Sequence, residues 1–128
     1  MASEDHLYTA QHFATLRDMD SDLRADRETD LRKADLSDAD LSDLDLRHAN
    51  LYAANLEGAI LHRAILVKAH LRSANLNHAD LRGADLRGAN LIDANLQQAD
   101  FTDVRLENAI LDGANLTGAK MPQGFSPT

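Results

Sequence analysis

From residue 31 to residue 119, two positions in every five are apolar, and the other three are mostly polar. The larger apolar position runs Leu31, Leu36, Leu41 and onward to Leu116; 17 of its 18 occupants are Leu and one is Phe101. The smaller position lies two residues earlier. It holds Ala in 16 of 18 cases between Ala34 and Ala119, with Leu44 and Val104 as the exceptions. Between the two stands mostly Asp or Asn, as at Asp35, Asp40, Asp45, Asn50, Asn55, Asp80 and Asn90. The unit reads A-(D/N)-L-x-x.

An α-helix does not fit this period. Five residues at ~100° each leave successive Leu ~140° apart around the axis, so they spiral instead of forming a stripe. A flat strand fails as well, because Ala and Leu two apart share a face but the next Ala, three residues on, switches it. The pattern closes if the chain turns a corner at the two x residues. Ala and Leu then point inward and the Asp or Asn between them points outward. Gly58, Gly83, Gly88, Gly113 and Gly118 all occupy the second x position, which predicts a corner with positive φ there. The Asp or Asn side chain is expected to bond to nearby backbone, as turn residues do.

Repeated corners of one sense give a coil, and stacked coils pair like parallel strands. These residues resemble the pentapeptide-repeat family, in phase from Leu31 to about Lys120. The resemblance implies an all-β solenoid, a right-handed quadrilateral parallel β-helix with four pentapeptides per coil. Eighteen units then make about 4.5 coils, roughly 22 Å tall at the strand spacing. A coil of 20 would stack Asn55, Asn75, Asn95 and Asn115 in one outer column, where an amide ladder is expected.

The ends break the phase and divide the chain into residues 1–30, 31–120 and 121–128. Ser3 is placed to N-cap a helix, with Glu4 and Asp5 favourable in its first turn. Leu7, Ala10, Phe13 and Ala14 share one helical face. Residues 4–17 are therefore read as a short α-helical cap over the first coil, and the charged stretch 18–30 as a connector. Pro122 stops the repeat by removing a ladder donor, with Phe125 available to cover the last coil.

Composition narrows the function. The chain has 128 residues and is 4% aromatic, with no Cys and no Trp. Its core is narrow, and thiol chemistry and Cys-ligated metals are excluded. The N-terminus lacks the basic and apolar regions of a signal peptide, so the cytoplasm is the expected location. The net charge of −8 disfavours nucleic acid as a partner. Residues 1–30 hold eight acids against three bases, which leaves the repeat body at only −3.

No catalytic, cofactor or metal constellation is recognisable. Asp and Asn recur because corners use them, and His48, His62, His70 and His78 fall on different sides of a four-sided coil. The chain reads as a non-enzymatic binding or scaffold protein, monomeric or weakly dimeric, that presents a rigid surface to an unidentified protein partner. The resemblance implies a bacterial and plausibly cyanobacterial setting. The expected partner patch lies where the outer column departs from Asp and Asn. Ile60 and Ile65 stand there with Val67 beside them, rimmed by Arg47, Arg63, Lys68, Arg82 and Arg87. A second apolar spot comprises Tyr52, Ile92 and Ile110.

The alternative implied by the resemblance is a gyrase-binding protein that imitates duplex DNA. Two departures weigh against it. No C-terminal segment is long enough for a dimerising helix. Residues 46–90 hold six bases and three acids, the wrong sign for a DNA surrogate.

Overall fold

The computed structural model of the protein describes residues 29–126. The proposed helical cap over residues 4–17 and most of the connector lie outside the described residues.

The chain coils with a rise of one layer per 20 residues. Parallel bridges join Asp30 to Asn50, Asp35 to Asn55, Asp40 to Ile60, and so on in steps of five to Asp100 and Lys120, always 20 residues apart. Four pentapeptides therefore make one turn, as the sequence resemblance implied. Each side of the square is one Ala–Asp/Asn–Leu triplet, and each corner is the two residues that follow.

The reason for the five-residue unit appears when its backbone donors are followed one at a time. In the unit Asn55–Ala59, Asn55 N–H donates to Ala34 O in the coil before (2.9 Å), and Leu56 N–H to Asn75 O in the coil after (2.7 Å). Gly58 N–H donates to Asn77 O (2.9 Å), also in the coil after. Ala59 N–H closes the corner on Leu56 O at 3.0 Å. The remaining donor, Glu57 N–H, is bound by the Asn55 side chain, Oδ1 at 3.1 Å. One polar side chain at the outer position thus supplies what the ladder and the corner leave over.

The corner has positive φ at its second x residue and not at its first, the pattern of a type II turn. All eighteen corners adopt it, five with Gly and thirteen with other residues such as Lys33, Ala53 and Asn108. The glycines mark the conformation without being required for it. At Gly58 the fold adds a second constraint, since a Cβ there would collide with the Asp38 carboxylate one coil earlier.

The core is a column of leucines and alanines. From Leu31 to Leu96 every inward Leu is at most 3% exposed, and Phe101 and Val104 continue the column. The last coil differs. Leu106, Ala109, Leu111, Ala114, Leu116 and Met121 pack on the core but stay partly exposed. Phe125 and Gly124 reach over them and leave an open cavity of about 660 Å³.

The Asn column forms as expected, with Asn55, Asn75, Asn95 and Asn115 bridged in series. The amide ladder does not. Only Asn75 Nδ2 approaches Asn55 Oδ1, at 3.5 Å. The oxygens are already engaged by the backbone N–H groups of Glu57, Asn77, Gln97 and Thr117, and that local demand outweighs side-chain stacking.

Candidate functional site

Twenty-residue stacking sorts the surface into columns. Asp40, Ile60, Asp80 and Asp100 share one outer column and Asp45, Ile65, Asp85 and Arg105 the next. The corner between them carries Ser42, His62, Arg82 and Thr102, then Asp43, Arg63, Gly83 and Asp103. The corner after the second column carries Arg47, Val67 and Arg87, with His48, Lys68 and Gly88 beside them. Ile60, Ile65 and Val67 are thus brought together on two adjoining sides of one coil. Ile60 is 37% exposed, whereas Ile65 and Val67 are half-buried, because column neighbours at strand spacing cover much of each side chain.

Ile60 and Ile65 interrupt the hydrogen-bond rule of the fold. Everywhere that Asp or Asn holds the outer position among the units described above, its Oδ1 receives the N–H two residues on. Isoleucine has no oxygen to offer, so the N–H groups of His62 and Val67 lose that acceptor. A hydrogen bond of this kind contributes about 1 kcal/mol.

The rim is less basic than its sequence suggests. Arg47 forks onto Asp45 (2.9 and 2.6 Å), and Arg87 onto Asp85 (2.9 and 2.7 Å). Arg63 reaches back one coil to Asp43 (2.8 and 3.0 Å). Arg82 pairs with Asp80 through both guanidinium arms at 2.9 Å. An Asp two residues before an Arg lies across the corner from it, which makes a bidentate fork nearly automatic. The patch is therefore apolar with a rim of neutralised pairs, plus Lys68.

Sequence reasoning missed one cluster at its edge. His62 Nε2 lies 2.6 Å from Asp80 Oδ2 and 2.9 Å from Arg82 Nη2. Burial raises the Asp80 pKa, but hydrogen bonds from Arg82 and His62, and from the Arg82 backbone N–H, outweigh it and lower the value to about 2. His62 and Asp80 are 18 residues apart, and only the coil period brings them together. Arg87 similarly holds the Asp85 carboxyl below its ordinary range. Nothing here resembles an acid–base pair, since each carboxylate is held ionised by a cation. No group of three metal-ligating side chains occurs among the described residues.

The other apolar spot is dispersed. Tyr52 and Ile110 are 42% and 43% exposed but stand three coils apart along the stack, with Asn50, His70, Asn90 and Ile110 in one column and Arg32, Tyr52, Arg72 and Ile92 beside it. Among the described residues there is no helix long and apolar enough to cross a membrane.

The family model described as pentapeptide repeats matches in eight copies, through residues 27–63, 49–88, 64–103 and 89–123. A solved pentapeptide repeat protein from Nostoc PCC 7120 is 31% identical, covering 94% of this chain and 91% of its own, with a TM-score of 0.52. A second, from the cyanobacterium Cyanothece 51142, is 37% identical over 71% of this chain and 68% of its own, with a TM-score of 0.38. QnrB1, a plasmid-mediated fluoroquinolone resistance protein, is 21% identical over 72% of this chain and 59% of its own, with a TM-score of 0.35. No curated protein matches.

Proposed function

The chain belongs to the pentapeptide-repeat family, whose members fold as right-handed quadrilateral β-helices, and from that premise we propose that it is a non-enzymatic scaffold that docks a protein partner on the Ile60–Ile65–Val67 patch. In this reading the β-helix has about 4.5 coils, residues 1–30 cap its first coil, and the protein works in the cytoplasm.

One observation carries the reading. Ile60 and Ile65 occupy positions where Asp or Asn would complete the backbone hydrogen bonding, and they forgo that stabilisation. Local rules broken at a cost are expected where a surface serves something other than folding. An apolar centre ringed by Arg47–Asp45, Arg63–Asp43, Arg82–Asp80 and Arg87–Asp85 has the anatomy of a protein interface, an apolar core inside a polar rim.

The test is a double substitution, Ile60→Asn with Ile65→Asn. It restores both side-chain acceptors, so the folded protein gains stability, about 1 kcal/mol for each site. Partner capture from the native lysate, compared with wild type, should be lost. Undiminished capture by the stabilised variant removes the patch as the docking site.

The gyrase-binding alternative has less support. Its premise is a continuous acidic surface, and on these two sides four carboxylates are neutralised by arginine. Added protein that alters neither gyrase supercoiling nor its inhibition by a quinolone would end that reading.

A further inference from the structure

Five arginines occupy the first corner position: Arg32, Arg47, Arg72, Arg82 and Arg87. Four of them follow an Asp by two residues and fork onto it. Arg72 follows His70. It is exposed, and among the described residues its guanidinium makes no hydrogen bond or ion pair. The same rule that neutralises the other four leaves this one charged and open.

Arg72 lines a groove of about 290 Å³ with Arg32, Asn50, Tyr52, His70 and Asn90. Among the described residues no acid lines it, in a chain whose net charge is −8. Asp30, just outside, is held by the Arg32 fork at 2.8 and 2.7 Å. The two asparagines have defined orientations. Asn50 Oδ1 accepts Tyr52 N–H at 3.1 Å and Asn90 Oδ1 accepts Ile92 N–H at 3.0 Å. With the oxygens turned to the backbone, the two amide NH₂ groups remain as donors. The groove therefore offers amide donors above and below an uncompensated guanidinium, with the 42% exposed Tyr52 alongside.

Amide donors beside a guanidinium favour an anion, a guanidinium matches the fork of a phosphate or carboxylate, and an exposed aromatic offers a flat apolar contact. We propose that this groove binds an oxyanion carried on a planar ring, with Arg72 as its anchor and Tyr52 as the surface for the ring. The volume, at the small end of ligand pockets at roughly 300–1,000 Å³, suits a ligand the size of an aryl phosphate. The site lies on a different side of the coil from the Ile60–Ile65–Val67 patch and does not depend on it.

The test is titration of the full chain with phenyl phosphate at low salt, followed by amide chemical shifts and compared with inorganic phosphate. Shifts should centre on Tyr52, Arg72 and the Asn50 and Asn90 side-chain amides, with Kd of roughly 1 mM. Arg72→Gln should weaken binding about tenfold, the scale of a charge-assisted hydrogen bond, with Tm unchanged because Arg72 has no partner to lose among the described residues. Arg87→Gln, which removes an arginine already paired, should bind as wild type. Tyr52→Ala should weaken phenyl phosphate several-fold and leave inorganic phosphate unaffected. A phosphotyrosine peptide that binds more tightly than phenyl phosphate would assign the ligand to a partner's side chain, and equal binding would assign it to a free small molecule. The proposal fails if wild type shows no localised shifts, if Arg72→Gln binds as wild type, or if Arg87→Gln weakens binding as much as Arg72→Gln.

Discussion

The Asp80 carboxylate shows how a surface residue here acquires an energetic role. Its pKa of about 2 lies below the ordinary value of 3.8 because Arg82 and His62 stabilise the ionised form. A depressed carboxylate contributes stability that is complete above its unfolded-state pKa and is lost as pH falls through the folded one. The window is therefore from about 4 down to about 2. Asp80 remains 30% exposed, so solvent screening reduces the contribution to roughly 1 kcal/mol. Denaturant unfolding measured across that window should show wild type losing about this much more stability than Asp80→Asn. Equal acid limbs would mean that the cluster is energetically silent. The residues of this cluster were individually visible in the sequence, yet their proximity was not, because it depends on a coil period of 20 and on the His62 side chain crossing to the next coil. The arginine forks were similarly overlooked. They follow from an i, i+2 spacing across a corner, and counting bases and acids along the chain does not reveal it.

At the scale of the corner, thirteen residues with Cβ atoms hold φ near +60°. The left-handed region costs an L-residue roughly 1–2 kcal/mol, and Gly avoids that while losing about 0.5–1 kcal/mol in entropy. Ala53, at φ 57°, has no polar side chain to offset the strain. Ala53→Gly should therefore raise stability slightly, by roughly 0.5 kcal/mol, read as an increase in Tm. Gly58→Val should do the reverse and more strongly, since a β-branched residue enters the same region and meets the Asp38 carboxylate. A lower Tm for Ala53→Gly would show that the backbone entropy of glycine outweighs its relief of strain at these corners. The corners themselves were legible from five in-phase glycines. Their universality was not, because Asp, Asn, Lys, Arg and His at that position carry no comparable signal.

Along the whole molecule, burial falls off toward the C-terminal end. Leu76 is fully buried, while Leu116 is only partly buried, in a coil on which no further coil stacks among the described residues. In a solenoid each layer contacts only its neighbours, so the cost of a truncation depends on its height in the stack. Leu76→Ala should cost about 2–5 kcal/mol and Leu116→Ala markedly less, as measured by denaturant titration. Comparable losses would mean that the last coil is covered as well as the middle ones. Between residues 31 and 120 the corners and the coil were legible from the period, because Ala and Leu stay inward only if the chain turns every five residues, whereas the four sides and the right-handed sense came from the family resemblance. The ends resist the same reasoning, since nothing there repeats.

The core of this protein keeps time in fives and its surface in twenties. A single pentapeptide inserted after Gly58 would leave every Ala and Leu facing inward, so the chain should still fold. Everything downstream would nonetheless be carried a quarter turn around the axis. Arg72 would leave the side that holds Tyr52 while Ile60 and Ile65 stayed adjacent to one another. Length and surface identity are therefore separable in this fold, and a five-residue shift in phase rewrites what the surface presents without touching what holds it together.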